Sequence, residues 1–253
     1  MIQQHAHPDD IVELRLSRPP VNALNPELLL QLREMIHSIT ANGARGIVLS
    51  GSPGVFSAGL DVPALLALDA KALESAWRSF FAVCFALGAS PIPTAAALTG
   101  HSPAGGAVMS LYCDYRVMAE GNFRIGLNEV QVGLTVPPVI QFAFRRLLGA
   151  HRAERLLVAG AMIDSAQAQH IGLVDALAAV DQVVPEAVAW LRGTLALPSN
   201  AMRRTREMAR ADLVAALGDP DTLDLSGFVD DWFGEETQSV LHALVARLKT
   251  KSG

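Results

Sequence analysis

Two short stretches, Ala58-Gly59-Leu60-Asp61 and Ala104-Gly105-Gly106, each couple the end of an apolar run to glycine and small residues. Glycine lets a backbone approach a ligand closely, and amides at a helix start point outward with partial positive charge. Two such loops together can form an oxyanion hole, a pair of N–H donors for an oxygen that gains charge during reaction. Either loop alone reads as an ordinary turn after a strand, so the information lies in the combination.

Sharper motifs are absent. Gly54-Val55-Phe56-Ser57-Ala58-Gly59 lacks the Gly-Lys-Ser/Thr ending of a phosphate-binding loop, and no G-x-G-x-x-G follows a strand. Val55 stands where a nucleophile elbow around Ser57 needs its first glycine, which makes a serine hydrolase a poor second choice. The seven histidines include no H-E-x-x-H pair, and Cys84 and Cys113 have neither zinc spacing nor partners for a disulfide framework. His101 reads as a loop residue and Cys113 as core. No metal and no cofactor are expected.

The elements that must position these loops follow from patterning. Ile11 to Ser17 alternates, with Val12, Leu14 and Leu16 on one side and Glu13 and Arg15 on the other, which predicts a half-buried strand. Asn25-Pro26 opens a helix through Ile39. Gly46–Ser50 and Pro93–Leu98 read as buried strands, Lys71–Leu87 as an amphipathic helix between them, and Tyr115–Ala119 and Phe123–Gly126 as short extended segments. Strand, glycine loop and helix recur in that order, which argues an α/β architecture. Asp61 is placed to cap the helix after it, and Asp61 and Asp114 both read as structural acids.

The 253 residues suit one large domain, or a core with a small appendage. With 51% hydrophobic and 18% charged residues the chain folds, and a formal charge of -5 provides no field for nucleic acid. A composition shift near Pro198 divides an α/β core, 1–197, from a helical region, 198–253, containing Arg203, Arg204, Arg206 and Arg210, an acidic stretch, and a last helix with Val240, Leu241, Leu244 and Leu248. No apolar run reaches the roughly 18 residues of a membrane span, and the N-terminus has no leader-like pattern. With two unpaired cysteines, a cytoplasmic location is expected.

Phe56-Ser57-Ala58-Gly59-Leu60-Asp61, Gly100 to Gly106 with Cys113-Asp114-Tyr115-Arg116, and Ile125-Gly126-Leu127-Asn128-Glu129 together resemble the crotonase (enoyl-CoA hydratase/isomerase) superfamily in order and spacing. Their wording is most similar to its mitochondrial-type 3,2-trans-enoyl-CoA isomerase branch, and the resemblance runs from about Val21 to Lys251. It implies a spiral of β-β-α units, a C-terminal helical region that assembles a homotrimer or a dimer of trimers, and an acyl-CoA substrate. By motif position, it implies that the N–H groups of Leu60 and Gly105 hold the thioester oxygen. Ala58, Gly59, Leu60, Asp61, Val62 and Gly105 would line the substrate path, with Glu129 as the catalytic base. Lys249 and Lys251 are candidates for the CoA phosphates.

Hydratases of the superfamily carry a second glutamate three residues after the oxyanion-hole glycine. Here that position is Val108, which cannot orient or deprotonate water. A single base suits an isomerase moving a β,γ double bond to the α,β position. Flanking Ile125, Leu127, Val130 and Val132 suggest an apolar pocket that would raise the Glu129 pKa. A hydratase or another reaction through a thioester enolate is the enzymatic alternative, and a non-catalytic acyl-CoA-binding protein is the alternative of a different class.

Overall fold

The computed structural model describes residues 1–251, with side chains as far as Arg247. The chain opens with β1 (Ile2–His7) and β2 (Ile11–Leu16), an antiparallel pair joined by a 3-10 turn at Pro8–Asp10. Asp9 and Asp10 adopt positive φ in that turn, a conformation Asp tolerates better than most residues. Helix α1 (Pro26–Ala41) starts where expected: Pro26 follows Asn25, whose side chain accepts from Leu28 N at 3.0 Å.

Three successive units then build the framework. β3 (Gly46–Ser50) and β4 (Gly54–Val55) lead through α2 (Val62–Leu65) to α3 (Ala70–Gly88). β5 (Thr94–Leu98) and β6 (Gly100–Pro103) lead to α4 (Gly105–Leu111). β7 (Tyr115–Ala119) and β8 (Arg124–Gly126) lead to a 3-10 turn at Glu129–Val132 and then to α5 (Pro138–Leu148) and α6 (Ala150–Ala159). In each unit the first strand joins one sheet and the second joins another, so the chain advances as a spiral. β9 (Ile163–Asp164), α7 (Ser165–His170), β10 (Ala176–Ala178) and α8 (Val183–Leu195) complete the two sheets and cover one face.

The larger sheet runs β1-β2-β3-β5-β7-β10 and the smaller β4-β6-β8-β9. From β2 to β10 the large sheet is parallel, and such sheets are buried on both sides. One face packs on α1, α3 and α4. The other carries Ile11, Val48, Ala95, Ala97, Val117 and Ala119 against Val183, Ala187 and Leu191 of α8.

This second cover corrects the half-buried reading of β2. Glu13 is only 1% exposed, beside Ile11 on the face that α8 covers and enclosed by Ser50, Arg15 and His7. Its carboxylate accepts from Ser50 Oγ at 2.6 Å and Arg15 Nε at 2.9 Å, and lies 3.0 Å from His7 Nε2.

The chain ends in α9 (Ser199–Ala209), α10 (Ala211–Leu217), α11 (Ser226–Phe233) and α12 (Glu235–Lys251). Arg206 and Arg210 pair with Asp114 at 2.8 and 3.0 Å and donate to the carbonyls of Ser90, Gly88 and Tyr112. Asp114 also accepts from Thr94 N at 2.7 Å, which confirms the structural reading of that acid. Two of the four arginines of the basic run are therefore clamps on the core. Cys84 and Cys113 are buried thiols. Among the described residues no helix is long and apolar enough to cross a membrane, and no group of acidic, histidine or cysteine side chains could hold a metal ion.

Candidate active site

The Ser57–Asp61 loop is shaped from behind by Asn22. Asn22 itself has positive φ; its Nδ2 donates to Phe56 O at 3.0 Å, and its carbonyl accepts from Ser57 Oγ at 2.8 Å. The Ser57 hydroxyl in turn accepts from Gly59 N at 3.1 Å, so this buried serine is a brace and has no base beside it. Gly59 turns the loop at φ +86°, and a Cβ there would stand 3.2 Å from Gly105 N. The two glycine loops therefore touch. Gly106 allows the same approach from the other side, since a Cβ on it would lie 2.8 Å from Ser57 O.

The backbone geometry frees two amides. Leu60 forms a parallel bridge with Leu24, in which Leu24 N donates to Gly59 O and Asp61 N donates to Leu24 O, at 2.8 and 3.0 Å. In that pattern the N–H of the central residue points to the opposite side. Gly105 begins α4, where the first N–H groups have no helical acceptor. Ala104 before it sits at φ 45°, with its N–H held by Gly126 O at 2.8 Å. Strain of this kind persists where surrounding structure over-determines it, and clusters at functional sites. Among the described residues neither amide meets a protein acceptor, and the ideal Cβ position of Gly105 lies 3.4 Å from Leu60 N.

Both loops open on a cavity of about 570 Å³. Ala58, Leu60, Asp61, Val62 and Gly105 line it, and Gly59 does not; its part is to turn the backbone. Glu129 lines the same cavity at the start of its 3-10 turn, only 7% exposed and with Oε2 lacking a hydrogen-bond partner. Burial pushes its pKa up to about 7, with a smaller opposing pull from its own backbone N–H. Val108 faces the cavity from α4, so the position of a second acid is apolar.

Asp61 is the other carboxylate of the lining. It caps α2 by accepting from Ala64 N at 3.1 Å and pairs with Arg18 at 2.6 Å. Of the four apolar neighbours expected around Glu129, Ile125 and Leu127 are buried and Val132 lines the cavity, but Val130 points outward and is 40% exposed. The 3-10 turn rotates it away from its neighbours. His101 is exposed and accepts from Arg124 N at 3.2 Å, with no place in the site.

Sequence reasoning missed several lining residues. Trp77 and Phe80 come from α3, Trp232 from α11 and Leu244 from α12, while Arg18 comes from the segment after β2. Helical periodicity marks Trp77, Phe80 and Leu244 as covered without saying against what, and Trp232 lies in a stretch that reads only as acidic, where the structure forms α11. Lys249 and Lys251 lie outside the described side chains.

The chain matches the family described as enoyl-CoA hydratase/isomerase over residues 6–250. It is 30% identical over 249 residues to the mitochondrial enoyl-CoA delta isomerase 1 of Mus musculus, covering 97% of this chain and 86% of that protein. It is 33% identical over 214 residues, 80% of each, to a protein of Mycobacterium tuberculosis (strain ATCC 25618 / H37Rv) named probable enoyl-CoA hydratase EchA17. The crystal structure of human mitochondrial delta3-delta2-enoyl-CoA isomerase superposes with a TM-score of 0.93 at 29% identity, covering 100% of this chain and 99% of that one. The spiral of two-strand units is thus the crotonase fold, and the chain belongs to the enoyl-CoA hydratase/isomerase family.

Proposed function

We propose that this protein is an enoyl-CoA isomerase that moves the double bond of a β,γ-unsaturated acyl-CoA to the α,β position with Glu129 as its one acid–base group. The observation that carries this reading is that, among the described residues, the cavity holds a single unpaired carboxylate. Asp61 is committed to Arg18 and to its cap, and Val108 leaves water with no second acid to orient it.

The proposed chemistry runs in two proton transfers. Glu129 removes a proton from the α-carbon, and the electron pair spreads through the thioester carbonyl and the double bond as a dienolate. The protonated carboxyl then returns the proton to the γ-carbon. Leu60 and Gly105 N–H groups, supported as donors by their freedom from protein acceptors, steady the oxygen as its charge grows; loss of one such donor typically costs about 10²–10³ in rate. A base with pKa near the working pH serves both transfers, since it can take the proton and give it back. Ala58, Asp61 and Val62 form the adjoining substrate path, and the chemistry needs neither metal nor redox cofactor.

The proposal extends to a homotrimer, or a dimer of trimers, assembled with the help of residues 198–253. Exposed Val130 and Val158, which share one surface groove, support a contact between copies. A monomeric mass by light scattering at micromolar concentration would reject it. A cytoplasmic setting is supported by the two buried thiols, and cell fractionation checks it.

The deciding experiment offers the enzyme a β,γ-enoyl-CoA and crotonyl-CoA in parallel. Isomerisation with negligible hydration is expected. Hydration at a comparable rate would favour the hydratase reading, and acyl-CoA binding without turnover would favour a binding protein.

A further inference from the structure

Among the described residues three charged side chains line the cavity: Arg18, Asp61 and Glu129. Asp61 is the residue after Leu60, so its carboxylate is tied to the backbone that carries one of the two free amides. An unpaired anion there would oppose the negative charge that develops on a thioester oxygen. Arg18 removes that opposition. Its Nη2 lies 2.6 Å from Asp61 Oδ2, its Nη1 donates to Ala23 O at 2.9 Å, and its own N–H donates to Asn22 Oδ1 at 2.9 Å. The guanidinium is thus held from two directions, by Asp61 and by Ala23 O, while the backbone of Arg18 is fixed by Asn22, the residue that also shapes the Ser57–Asp61 loop.

We propose that Arg18 is a positioning residue for enolate formation, which cancels the charge of Asp61 beside the Leu60 amide so that the cavity holds one net negative charge throughout the reaction. The inference rests on the isomerase reading. Before proton abstraction that charge sits on Glu129, and afterwards on the thioester oxygen. Without Arg18 the cavity would hold two, and the second would weigh on the step that creates the enolate. At the short separations and intermediate dielectric of such a cleft, a like charge of this kind slows that step by about 10- to 50-fold.

The test is a charge cycle on the full-length protein: Arg18→Gln, Asp61→Asn, both together, and Arg18→Lys. Asparagine retains the cap of α2, so Asp61→Asn removes charge with little change of shape. Arg18→Gln is expected to lower kcat by about 10- to 50-fold with a smaller change in KM. Adding Asp61→Asn should restore kcat to within about threefold of wild type, and Arg18→Lys should restore most of it. If the double variant is as slow as Arg18→Gln alone, the pair is only a brace and the proposal fails. A defect confined to KM, with kcat unchanged, would place Arg18 on the CoA anion and likewise overturn it. Exchange of the α-proton of a saturated acyl-CoA in D₂O, measured on the same four variants, reports enolate formation directly. Wild type that exchanges but does not isomerise would defeat the isomerase reading alone, and the order of the variants in exchange would still decide the role of Arg18. Wild type that neither exchanges nor isomerises defeats both.

Discussion

Glu13 and Glu129 are two buried glutamates of one chain with opposite chemistry. Glu13, between β1, β3 and Arg15, has a donor for each oxygen, and the bonds from Ser50, Arg15 and His7 outweigh its burial and pull its pKa below the ordinary carboxylate value. Glu129 is slightly less buried, yet one of its oxygens has no partner, and desolvation pushes it up to about 7. Burial alone therefore does not make a base. The difference lies in the partners: a carboxylate surrounded by donors is fixed as an anion, whereas one left without them can exchange a proton near neutrality.

The largest expected effect that would break the comparison is Glu129→Gln. Loss of general-base help alone is worth about 10²–10⁴ in rate, and because the other carboxylate described in the lining, Asp61, is held by Arg18 and by its helix cap, we expect isomerisation to fall by at least that, with acyl-CoA affinity retained. Measured single-turnover rates unchanged from wild type would remove Glu129 from the mechanism. Glu13→Ala should do the reverse: Arg15 and Ser50 lose their acceptor in a covered sheet, costing about 2–4 kcal/mol of stability, while kcat of the folded fraction stays constant. Urea denaturation paired with turnover assays separates these outcomes.

The stability of Glu129→Gln sharpens the contrast further. The folded pKa of Glu129 lies above its unfolded value, so its contribution to stability is fully present below about pH 4.5 and is lost as pH rises through about 7. Above that the buried charge costs about 3 kcal/mol, and the glutamine variant should melt higher than wild type at pH 8 but not at pH 4.5. Equal melting temperatures at pH 8 would mean the carboxylate is better solvated than its surroundings indicate. The smallest effect is on the wild-type pH profile. kcat/KM should rise about tenfold per pH unit on the acid side and level off above about 7, as an essential base of that pKa loses its proton.

Much of the site was legible because its motifs are local. Asn25 and Asp61 announce their helices, the glycine loops end buried strands, and Glu129 follows a strand of known pattern. The alternation of β2 misled for an equally definite reason. Period-two patterning reports side-chain direction, and α8, about 170 residues later, packs against Ile11 on the side the pattern assigned to water. The cavity walls from Trp77 and Leu244 were invisible for the same cause, since an apolar stripe states that a helix is covered and not what covers it, and Trp232 was hidden in a stretch whose acidic residues masked α11.

By itself, then, the order of residues determined the recurrence of strand, glycine loop and helix, the two loops and the acid opposite a valine, because each is written in neighbours along the chain, whereas the second strands at Gly54–Val55 and Gly100–Pro103 fall where those neighbours read as turns. Tertiary structure alone decided which amides are left without acceptors, which of two buried glutamates lacks donors, and that Arg18 meets Asp61 across 42 intervening positions. These depend on desolvation and on hydrogen-bond partners brought from distant segments, quantities that exist only once the chain has closed around them.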